Sequence, residues 1–413
     1  MMLTDAHKII SDSIAAVLPD AAVRRALSGR CFPRGVTLVA IGKAAWRMAA
    51  AAHDALGNQI LRGVVITKYN HSEGPIGNLE IIEAGHPVPD ENGIRGAERA
   101  LELVGGLTKE DTVLFLISGG GSALFELPLE SCSLSDLADL TRQLLACGAD
   151  ITEINTLRKR LSAVKGGRFA KASAPAKILS IILSDVLGDP VDAIASGPAA
   201  PDSSTCEDVA RIVAKYGLSI PAHIHPLLQQ ETPKRLSDVE ICITGSVAAL
   251  CEAAARSAQS LGYVPLVLTT TLSCEAREAG AMLAAIAREI RRSGQPVRPP
   301  CAVIMGGETV VHLRGKGKGG RNQELALAAA TGIAGLEDVC IFSLGSDGTD
   351  GPTDAAGGIV TGTFAAACKT RGLSIDAVLA DNDAYPLLKQ MNALLMTGPT
   401  GTNVNDVAVL LCK

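Results

Sequence analysis

The sequence predicts an α/β protein with two largely parallel, Rossmann-like sheets flanked by helices. Three observations lead to this prediction. First, 413 residues exceed what a single hydrophobic core usually supports, which favours two domains. Second, short runs of β-branched and aliphatic residues alternate with longer Ala- and Leu-rich stretches, as in βαβ units. Third, most of the short runs are continuously apolar, which is typical of strands covered by helices on both faces.

The predicted strands are spread along the whole chain. They cover residues 36–41, 64–67, 113–117, 178–183, 239–243, 264–268, 301–305, 310–313 and 339–344. A polar, proline-bearing stretch at 225–238 separates two halves that each begin with a strand. We therefore expect an N-terminal Rossmann-like domain over residues 1–237 and a C-terminal α/β domain over residues 238–413.

Charge and composition exclude several classes of partner. The formal net charge of -5 leaves no basic excess to neutralise a phosphate backbone, so no nucleic-acid partner is expected. The longest aliphatic stretches are far shorter than the ~20 residues that cross a bilayer, so no membrane association is expected either. Eleven scattered cysteines without a C-x-x-C pair are typical of reduced thiols. We expect a soluble, cytoplasmic protein that is a monomer or homodimer.

Glycines cluster directly after predicted strands, where loops line the ligand crevice of open α/β sheets. Lys43 follows the first strand at a junction with a helix, where it either faces the crevice or is an ordinary solvated lysine. Three consecutive glycines after the strand 113–117 are costly in chain entropy, which favours a cradle for a phosphate or carboxylate. This loop consists of Ser118, Gly119, Gly120, Gly121 and Ser122.

Two other loops carry several carboxylates, two in the first loop and three, with Asp354, in the second. Asp185 and Asp189 follow the strand 178–183, and Asp347 and Asp350 follow the strand 339–344. Carboxylates in such loops hold Mg²⁺ or accept a hydroxyl proton. Capping and turn formation are the alternative roles for these aspartates.

The segment 315–320 matches the dinucleotide pattern G-x-G-x-x-G, after a predicted strand and before a predicted helix. Its two lysines and the following Arg321 suit a triphosphate better than a pyrophosphate diester. The acidic partner for a ribose is also poorly placed, since Asp347 lies far along the chain in a glycine-rich loop. Nicotinamide binding is therefore the weaker interpretation.

Nine strings, in this order, resemble the glycerate 2-kinase family, also called the MOFRL type, some of whose members are labelled hydroxypyruvate reductases. They are GKAAWRMA (42–49), EAGHPVPD (83–90), ISGGGSAL (117–124), LRKRLSAVKGGR (157–168), LSDVLGDPVDAIASGP (183–198), GGETVV (306–311), GKGGRNQELAL (317–327), SDGTDGPTDAAGG (346–358) and TGPTGTNVNDV (397–407). The match runs nearly end to end.

The resemblance implies two α/β domains around a deep cleft and ATP-dependent phosphorylation of D-glycerate, with the 2-hydroxyl as the expected acceptor. Lys43 and Arg321 match the basic pair of that family. Arg321 is expected to bind the glycerate carboxylate or the γ-phosphate, and Lys43 to neutralise charge on the transferring phosphoryl group.

The predicted site residues fall into three groups. The catalytic group is Lys43, Arg321, Asp185 and Asp347. The ATP-binding group is Ser118, Gly119, Gly120, Gly121, Ser122, Gly317, Lys318, Gly319, Gly320 and Asn322. The Mg²⁺ ligands are Asp189 and Asp350, although the division of roles among the four aspartates stays open. Two other functions remain as alternatives: an NAD(P)H-dependent hydroxypyruvate reductase that uses residues 315–320, and a non-catalytic sensor of small sugar acids.

Overall fold

The computed structural model describes residues 2–413, which form two compact units. The N-terminal unit comprises residues 19–244, and the C-terminal unit comprises residues 245–413 together with residues 2–18. The division thus falls between Thr244 and Gly245, later than the boundary expected after residue 237. The first helix of the chain belongs to the C-terminal unit, although more than 200 residues separate the two in sequence.

Long-range hydrogen bonds explain the position of this first helix, α1 (Met2–Ala16). The Asp12 carboxylate accepts a hydrogen bond from Ser257 Oγ at 2.6 Å, and the Asp5 carboxylate accepts one from Tyr263 OH at 2.8 Å. The Lys413 ammonium also donates to Asp5, at 2.8 Å. The two ends of the chain are therefore joined within the C-terminal unit.

The N-terminal unit contains a six-stranded sheet in the order β3-β2-β1-β4-β5-β6. Its strands are β1 (Val36–Ile41), β2 (Ile60–Lys68), β3 (Glu80–Ala84), β4 (Thr112–Ile117), β5 (Lys177–Leu183) and β6 (Val239–Gly245). The pairings from β3 through β5 are all parallel. Val39 and Ile41 of β1 pack into one hydrophobic core and Leu38 and Ala40 into another, which explains why the strand is apolar at every position.

Nine helices accompany this sheet among the described residues. They are α2 (Pro19–Leu27), α3 (Ala45–Leu56), α4 (Glu91–Val104), α5 (Gly121–Leu124), α6 (Leu134–Ala146), α7 (Ile151–Leu161), α8 (Arg168–Ser173), α9 (Cys206–Tyr216) and α10 (His225–Leu228). Side-chain caps set several of their starts. Ser133, Asp150 and Thr205 each form a capping box with the acidic residue three positions later.

The C-terminal unit contains a six-stranded sheet in the order β11-β10-β9-β12-β8-β7. Its strands are β7 (Val264–Leu272), β8 (Cys301–Gly307), β9 (Val339–Gly345), β10 (Gly357–Thr361), β11 (Leu394–Leu395) and β12 (Asp406–Cys412). Strands β7 and β8 are parallel, whereas β12 is antiparallel to both β8 and β9, and β10 is antiparallel to β9 and β11. The α/β class with two helix-flanked sheets is confirmed, and this second sheet is mixed.

One predicted strand is absent. Residues 310–313 form only a single bridge, between Val310 and Glu275. Val310 is 49% exposed and Leu313 is 82% exposed, so the apolar run has no sheet face to cover. Conversely, β3, β10, β11 and β12 are present without having been predicted.

The helices of the C-terminal unit after α1 are α11 (Val247–Ser260), α12 (Ala276–Ser293), α13 (Arg321–Gly332), α14 (Phe364–Thr370), α15 (Ile375–Ala380) and α16 (Ala384–Gln390). Helix α13 begins directly after the glycine-rich segment 315–320, as the sequence predicts. Within residues 2–413, no helix is both long enough and apolar enough to span a membrane.

Candidate functional site

Three glycine-rich loops of the N-terminal unit meet at one edge of its sheet, because they follow the adjacent parallel strands β1, β4 and β5. The Lys43 N–H donates to the Gly119 carbonyl at 2.8 Å, and the Ala44 N–H donates to Ser118 Oγ at 3.0 Å. We call the resulting group the Lys43 cluster: Lys43, His86, residues 118–122, Asp185 and Ser196.

Two glycines, Gly42 beside this cluster and Gly119 within it, allow the close approach of neighbouring loops. Gly42 has φ +112°, and a Cβ added there would lie 2.3 Å from Ser118 Oγ. A Cβ added to Gly119 would lie 2.3 Å from Asp185 Oδ2. The Asp185 carboxylate therefore rests directly against the triple-glycine loop.

Lys43 and His86 flank Gly120, the middle glycine of the triple-glycine loop. A Cβ added to Gly120 would lie 3.1 Å from Lys43 Cγ and 3.0 Å from His86 Cδ2. Burial lowers the pKa of His86, and the positive charges of Lys43 and Lys68 lower it further. Its imidazole is therefore neutral near pH 7. The sequence analysis did not single out His86, and the string EAGHPVPD, which begins within the unpredicted strand β3, was the available signal.

Lys43 itself is half-buried and makes no ion pair within residues 2–413. Its ammonium is thus available to an anionic ligand. This arrangement differs from an ordinary solvated lysine, since the loop that carries Lys43 is hydrogen-bonded to the triple-glycine loop.

Asp189, one of the two predicted metal ligands, lies in the loop after β5 with φ +52°. Its Oδ1 atom is buried and has no hydrogen-bond partner among residues 2–413. A carboxylate oxygen without a partner fits Mg²⁺, which proteins often hold by one or two carboxylates together with substrate phosphates. Among the described residues, no group of three or more His, Cys, Asp or Glu side chains forms a ready metal site.

In the C-terminal unit, Arg321 is held by two carboxylates. Its Nε and Nη2 donate to Asp406 at 2.5 and 3.0 Å, and its Nη1 donates to Glu308 at 2.8 Å. Burial raises the pKa of Asp406, and the Arg321 guanidinium opposes that rise. Burial likewise works against the charged form of Arg321, but the bonds to Asp406 outweigh it and raise the pKa of the guanidinium. Sequence reasoning missed both carboxylate partners.

This pairing changes what Arg321 can do. A guanidinium has five N–H donors, and three of them are directed at Asp406 and Glu308. The bidentate face expected for a substrate anion is therefore occupied by Asp406. Only the two remaining donors can bind glycerate carboxylate or phosphate oxygens while both ion pairs persist.

Asp350, the second predicted metal ligand, instead caps helix α13. Its Oδ1 accepts from the Asn322 N–H at 3.1 Å and its Oδ2 accepts from the Gln323 N–H at 2.9 Å. Burial raises the pKa of Asp350 to about 6, against the effect of these N–H groups. Asn322 is also committed, because its Oδ1 accepts from Ser343 Oγ at 2.6 Å. The capping alternative thus describes Asp350, and both residues face the protein interior.

The first four N–H groups of the segment 315–320 are hydrogen-bonded within the protein and are not free to bind a phosphate. The N–H groups of Lys316 and Lys318 donate to the carboxylates of Asp381 and Asp383 at 3.1 and 2.8 Å. The Gly317 N–H donates to the Asp381 carbonyl at 2.9 Å. Helix α13 follows the segment, as a dinucleotide site requires, but no strand at 310–313 leads into it.

The rest of this segment is packed against protein as well. A Cβ added to Gly320 would lie 2.2 Å from Asp350 Cγ, and one added to Gly319 would lie 3.3 Å from Ala384 N. The Lys318 ammonium lies 4.7 Å from the centre of the Tyr385 ring. The N–H groups of Gly317 and Lys318 are thus engaged within the protein, and ATP contacts of Gly319 and Gly320 stay a prediction.

Asp347 forms a local turn. Its Oδ1 accepts from Thr349 N–H at 3.0 Å and from Thr349 Oγ1 at 3.2 Å. It is half-buried. We call Arg321, Glu308, Asp406, Asn322 and Asp350 the Arg321 cluster.

Comparison with known proteins identifies the family. A domain of unknown function (DUF4147) matches residues 5–229, and the MOFRL family matches residues 301–406. The chain is 55% identical to D-glycerate 2-kinase of Thermotoga maritima over 404 residues, covering 98% of this chain and 97% of the relative. It belongs to the glycerate 2-kinase family. It is an enzyme of the phosphotransferase class, and the resemblance seen in the sequence is confirmed.

Other members of the glycerate 2-kinase family agree with this assignment. Glycerate 2-kinase of Pyrococcus horikoshii is 45% identical over 387 residues, covering 91% of this chain and 87% of the relative. The crystal structure of the Thermotoga maritima glycerate kinase has a TM-score of 0.96, 55% identity and 99% coverage of both chains. A relative in Agrobacterium vitis, 41% identical over 98% of this chain and 93% of the relative, has the provisional name hydroxypyruvate reductase.

Proposed function

We propose that this protein transfers the γ-phosphoryl group of ATP to the 2-hydroxyl of D-glycerate, giving 2-phosphoglycerate and ADP. The observation that carries the proposal is the near-full-length similarity to D-glycerate 2-kinase. The Lys43 cluster adds a chemical reason, since it joins an unpaired cation to a glycine loop and a carboxylate. Phosphoryl transfer depends mainly on positioning and charge stabilisation of this kind.

Within this proposal, Lys43 neutralises negative charge that develops on the transferring phosphoryl oxygens. Its lack of an ion pair in the described chain leaves that charge available. The main chain of Gly119, Gly120 and Gly121, at the start of α5, supports the phosphates. Neutral His86 lies on the other side of Gly120 and, being uncharged, adds no further positive charge beside Lys43.

Asp185 is the proposed acceptor of the 2-hydroxyl proton, because its carboxylate rests against Gly119 beside Lys43. The unpartnered Oδ1 of Asp189 would hold Mg²⁺. When bound, that ion would neutralise part of the charge on the nucleotide phosphates. Asp347 remains a second proposed proton acceptor, with one oxygen already used by Thr349.

Arg321 is proposed to bind the substrate carboxylate through the two donors that Asp406 and Glu308 leave over. All eleven cysteines are free thiols, which supports the proposed cytoplasmic location. A monomeric or homodimeric state stays a prediction.

The test is product analysis of the purified protein with ATP, Mg²⁺ and D-glycerate. Phosphorus NMR should show 2-phosphoglycerate appearing as ADP accumulates. A clean, folded preparation that releases no ADP with D-glycerate would refute the proposal, and 3-phosphoglycerate as product would correct the position of transfer. Hydroxypyruvate with reduced nicotinamide cofactor should give no loss of nicotinamide absorbance.

A further inference from the structure

The Ser122 side chain belongs to a chain of three polar groups in the N-terminal unit. Ser122 Oγ lies 3.0 Å from Ser196 Oγ, and Ser196 Oγ donates to Asn155 Oδ1 at 3.0 Å. Asn155 and Ser196 are buried, and Ser122 is half-buried. A hydroxyl has one proton to donate and two lone pairs to accept with.

The direction of each hydrogen bond in this chain follows from that count. The Asn155 carbonyl oxygen has no proton, so Ser196 must spend its single proton on it. In the bond between the two serines, Ser122 must then be the donor. Ser122 Oγ is left with lone pairs alone, so it can accept a hydrogen bond from a ligand but cannot donate one.

The main chain of Ser122 is fixed by two cations. Its carbonyl accepts from Lys165 Nζ at 2.8 Å and from Arg158 Nη2 at 3.2 Å. Lys165 is fully buried, lies 2.9 Å from the buried Glu126 carboxylate, and also donates to the Phe125 carbonyl. This network holds Ser122 in place, so its lone pairs keep a defined direction.

Ser196 is held in an unfavourable backbone conformation. Ala195 and Ser196 have φ of +50° and +61°, in the left-handed region that residues other than glycine seldom adopt. Such residues persist only where their surroundings impose them, and they concentrate at functional sites. Here the strained turn places the Ser196 hydroxyl between Ser122 and Asn155.

We propose that Ser122 Oγ recognises a hydroxyl of the substrate that does not react, which is the 3-hydroxyl of D-glycerate; this rests on the proposed function. An acceptor-only oxygen repels a phosphate, so the Ser122 hydroxyl does not belong to the phosphate cradle in which the sequence placed it. A neutral hydroxyl of the substrate can donate the hydrogen bond that Ser122 Oγ is able to accept. The reacting 2-hydroxyl is excluded as the partner of Ser122 Oγ, because the hydrogen-bonded series from Ser122 through Ser196 ends at the Asn155 amide oxygen. An amide oxygen is no base at neutral pH and could not take up the proton that the 2-hydroxyl loses.

The test compares D-glycerate with D-lactate, which has the carboxylate and the 2-hydroxyl but a methyl group in place of the hydroxymethyl group. In Ser122→Ala, the KM for D-glycerate should rise about tenfold to hundredfold, the usual effect of losing one hydrogen bond to a substrate hydroxyl. The inhibition constant of D-lactate against D-glycerate should stay within about twofold of wild type. The preference for D-glycerate over D-lactate should therefore collapse.

Ser180→Ala is the matched control. Ser180 is a buried serine of β5 whose hydroxyl has no partner in the described chain, so its loss should change neither constant. Thermal unfolding of both variants checks that the fold is intact. The proposal is overturned if Ser122→Ala weakens D-glycerate and D-lactate equally, leaves the KM for D-glycerate unchanged, or instead raises the requirement for ATP or Mg²⁺.

The same experiment separates this proposal from the proposed function. If wild-type protein binds D-glycerate without phosphorylating it, the proposed function fails, and calorimetric dissociation constants for the two acids then replace the kinetic ones. A preference for D-glycerate that disappears in Ser122→Ala still supports recognition of the 3-hydroxyl. A wild-type protein that binds both acids equally, or binds neither, contradicts it.

Discussion

In the Lys43 cluster the cation has no ion pair in the described chain, and the other members are glycines, serines, a neutral histidine and the single carboxylate of Asp185. In the Arg321 cluster the cation donates to two carboxylates, and a third carboxylate caps the adjacent helix. One cluster is assembled by close contacts of main chain, which glycine permits. The other is assembled by charged side chains that neutralise one another.

Because of this difference, we expect Lys43 to matter for turnover alone and Arg321 to matter for both turnover and the stability of the fold. Removing Lys43 takes away a charge that makes no ion pair in the described chain. Removing Arg321 leaves the carboxylates of Asp406 and Glu308 without the positive charge that both of them bind. A buried carboxylate that loses its partner destabilises the fold. The two clusters should therefore respond differently to comparable substitutions.

The largest expected effect is on turnover. Lys43→Ala and Arg321→Ala should each lower the turnover of D-glycerate phosphorylation by at least about a hundredfold, the scale for losing one charge-stabilising donor in a preorganised site. A coupled assay of ADP release measures this. Wild-type turnover in a folded Lys43→Ala protein would remove that residue from the reaction.

The next effect is a pH dependence of stability that comes from Asp350 in the Arg321 cluster. Because burial raises the pKa of Asp350 from 3.8 to about 6, the contribution of this carboxyl to stability is lost as the pH rises from 4 through 6. Asp350→Asn carries no such proton. Its free energy of unfolding should therefore gain on that of the wild type by about 2 to 3 kcal/mol between pH 4 and pH 7. Denaturant titrations that stay parallel across this range would contradict the expectation.

A smaller difference is expected in stability at pH 7. Arg321→Ala should lower the free energy of unfolding by about 2 kcal/mol, between the values for buried and exposed ion pairs, since the Arg321 side chain is 34% exposed. Lys43→Ala should change it by less than about 0.5 kcal/mol. Adding Asp406→Asn to Arg321→Ala should restore part of the stability and none of the turnover. Equal losses in the two single variants would erase the contrast between the clusters.

The smallest effect concerns the neutral hydrogen bonds of the Lys43 cluster. Ser118 Oγ accepts from the Ala44 N–H and donates to the Ile41 carbonyl at 3.3 Å. Ser118→Ala should lower the free energy of unfolding by about 1 kcal/mol, and this loss should be the same at pH 4 and pH 7. A loss that varies with pH would show that a charged group takes part in this loop.

Much of the N-terminal unit could be predicted from the sequence, because buried parallel strands are apolar at every position and their loops meet at one edge. The fold of the C-terminal unit was harder to predict from the sequence. Strand β12 lies at the end of the chain yet pairs between β8 and β9, and no local pattern encodes such a pairing. The apolar run 310–313 resembled a strand, but its side chains are exposed.

The candidate site divides in the same way. The sequence predicted Lys43, the triple glycine and Asp185, which the structure brings together, since each follows its own strand of a parallel sheet. It could not show that Asp350 caps helix α13 or that Asp381 and Asp383 accept hydrogen bonds from the N–H groups of residues 316–318. Those partners lie far away in sequence, and an aspartate that caps a helix has the same letter as one that holds a metal.

The most direct test of the role of Lys43 is phosphorus NMR of wild-type protein and Lys43→Ala incubated side by side with ATP, Mg²⁺ and D-glycerate. A 2-phosphoglycerate resonance should grow in the wild-type sample, with at least about a hundredfold less product from the equally stable variant over the same time. No phosphoglycerate from the wild type, or equal amounts from both proteins, would contradict this expectation.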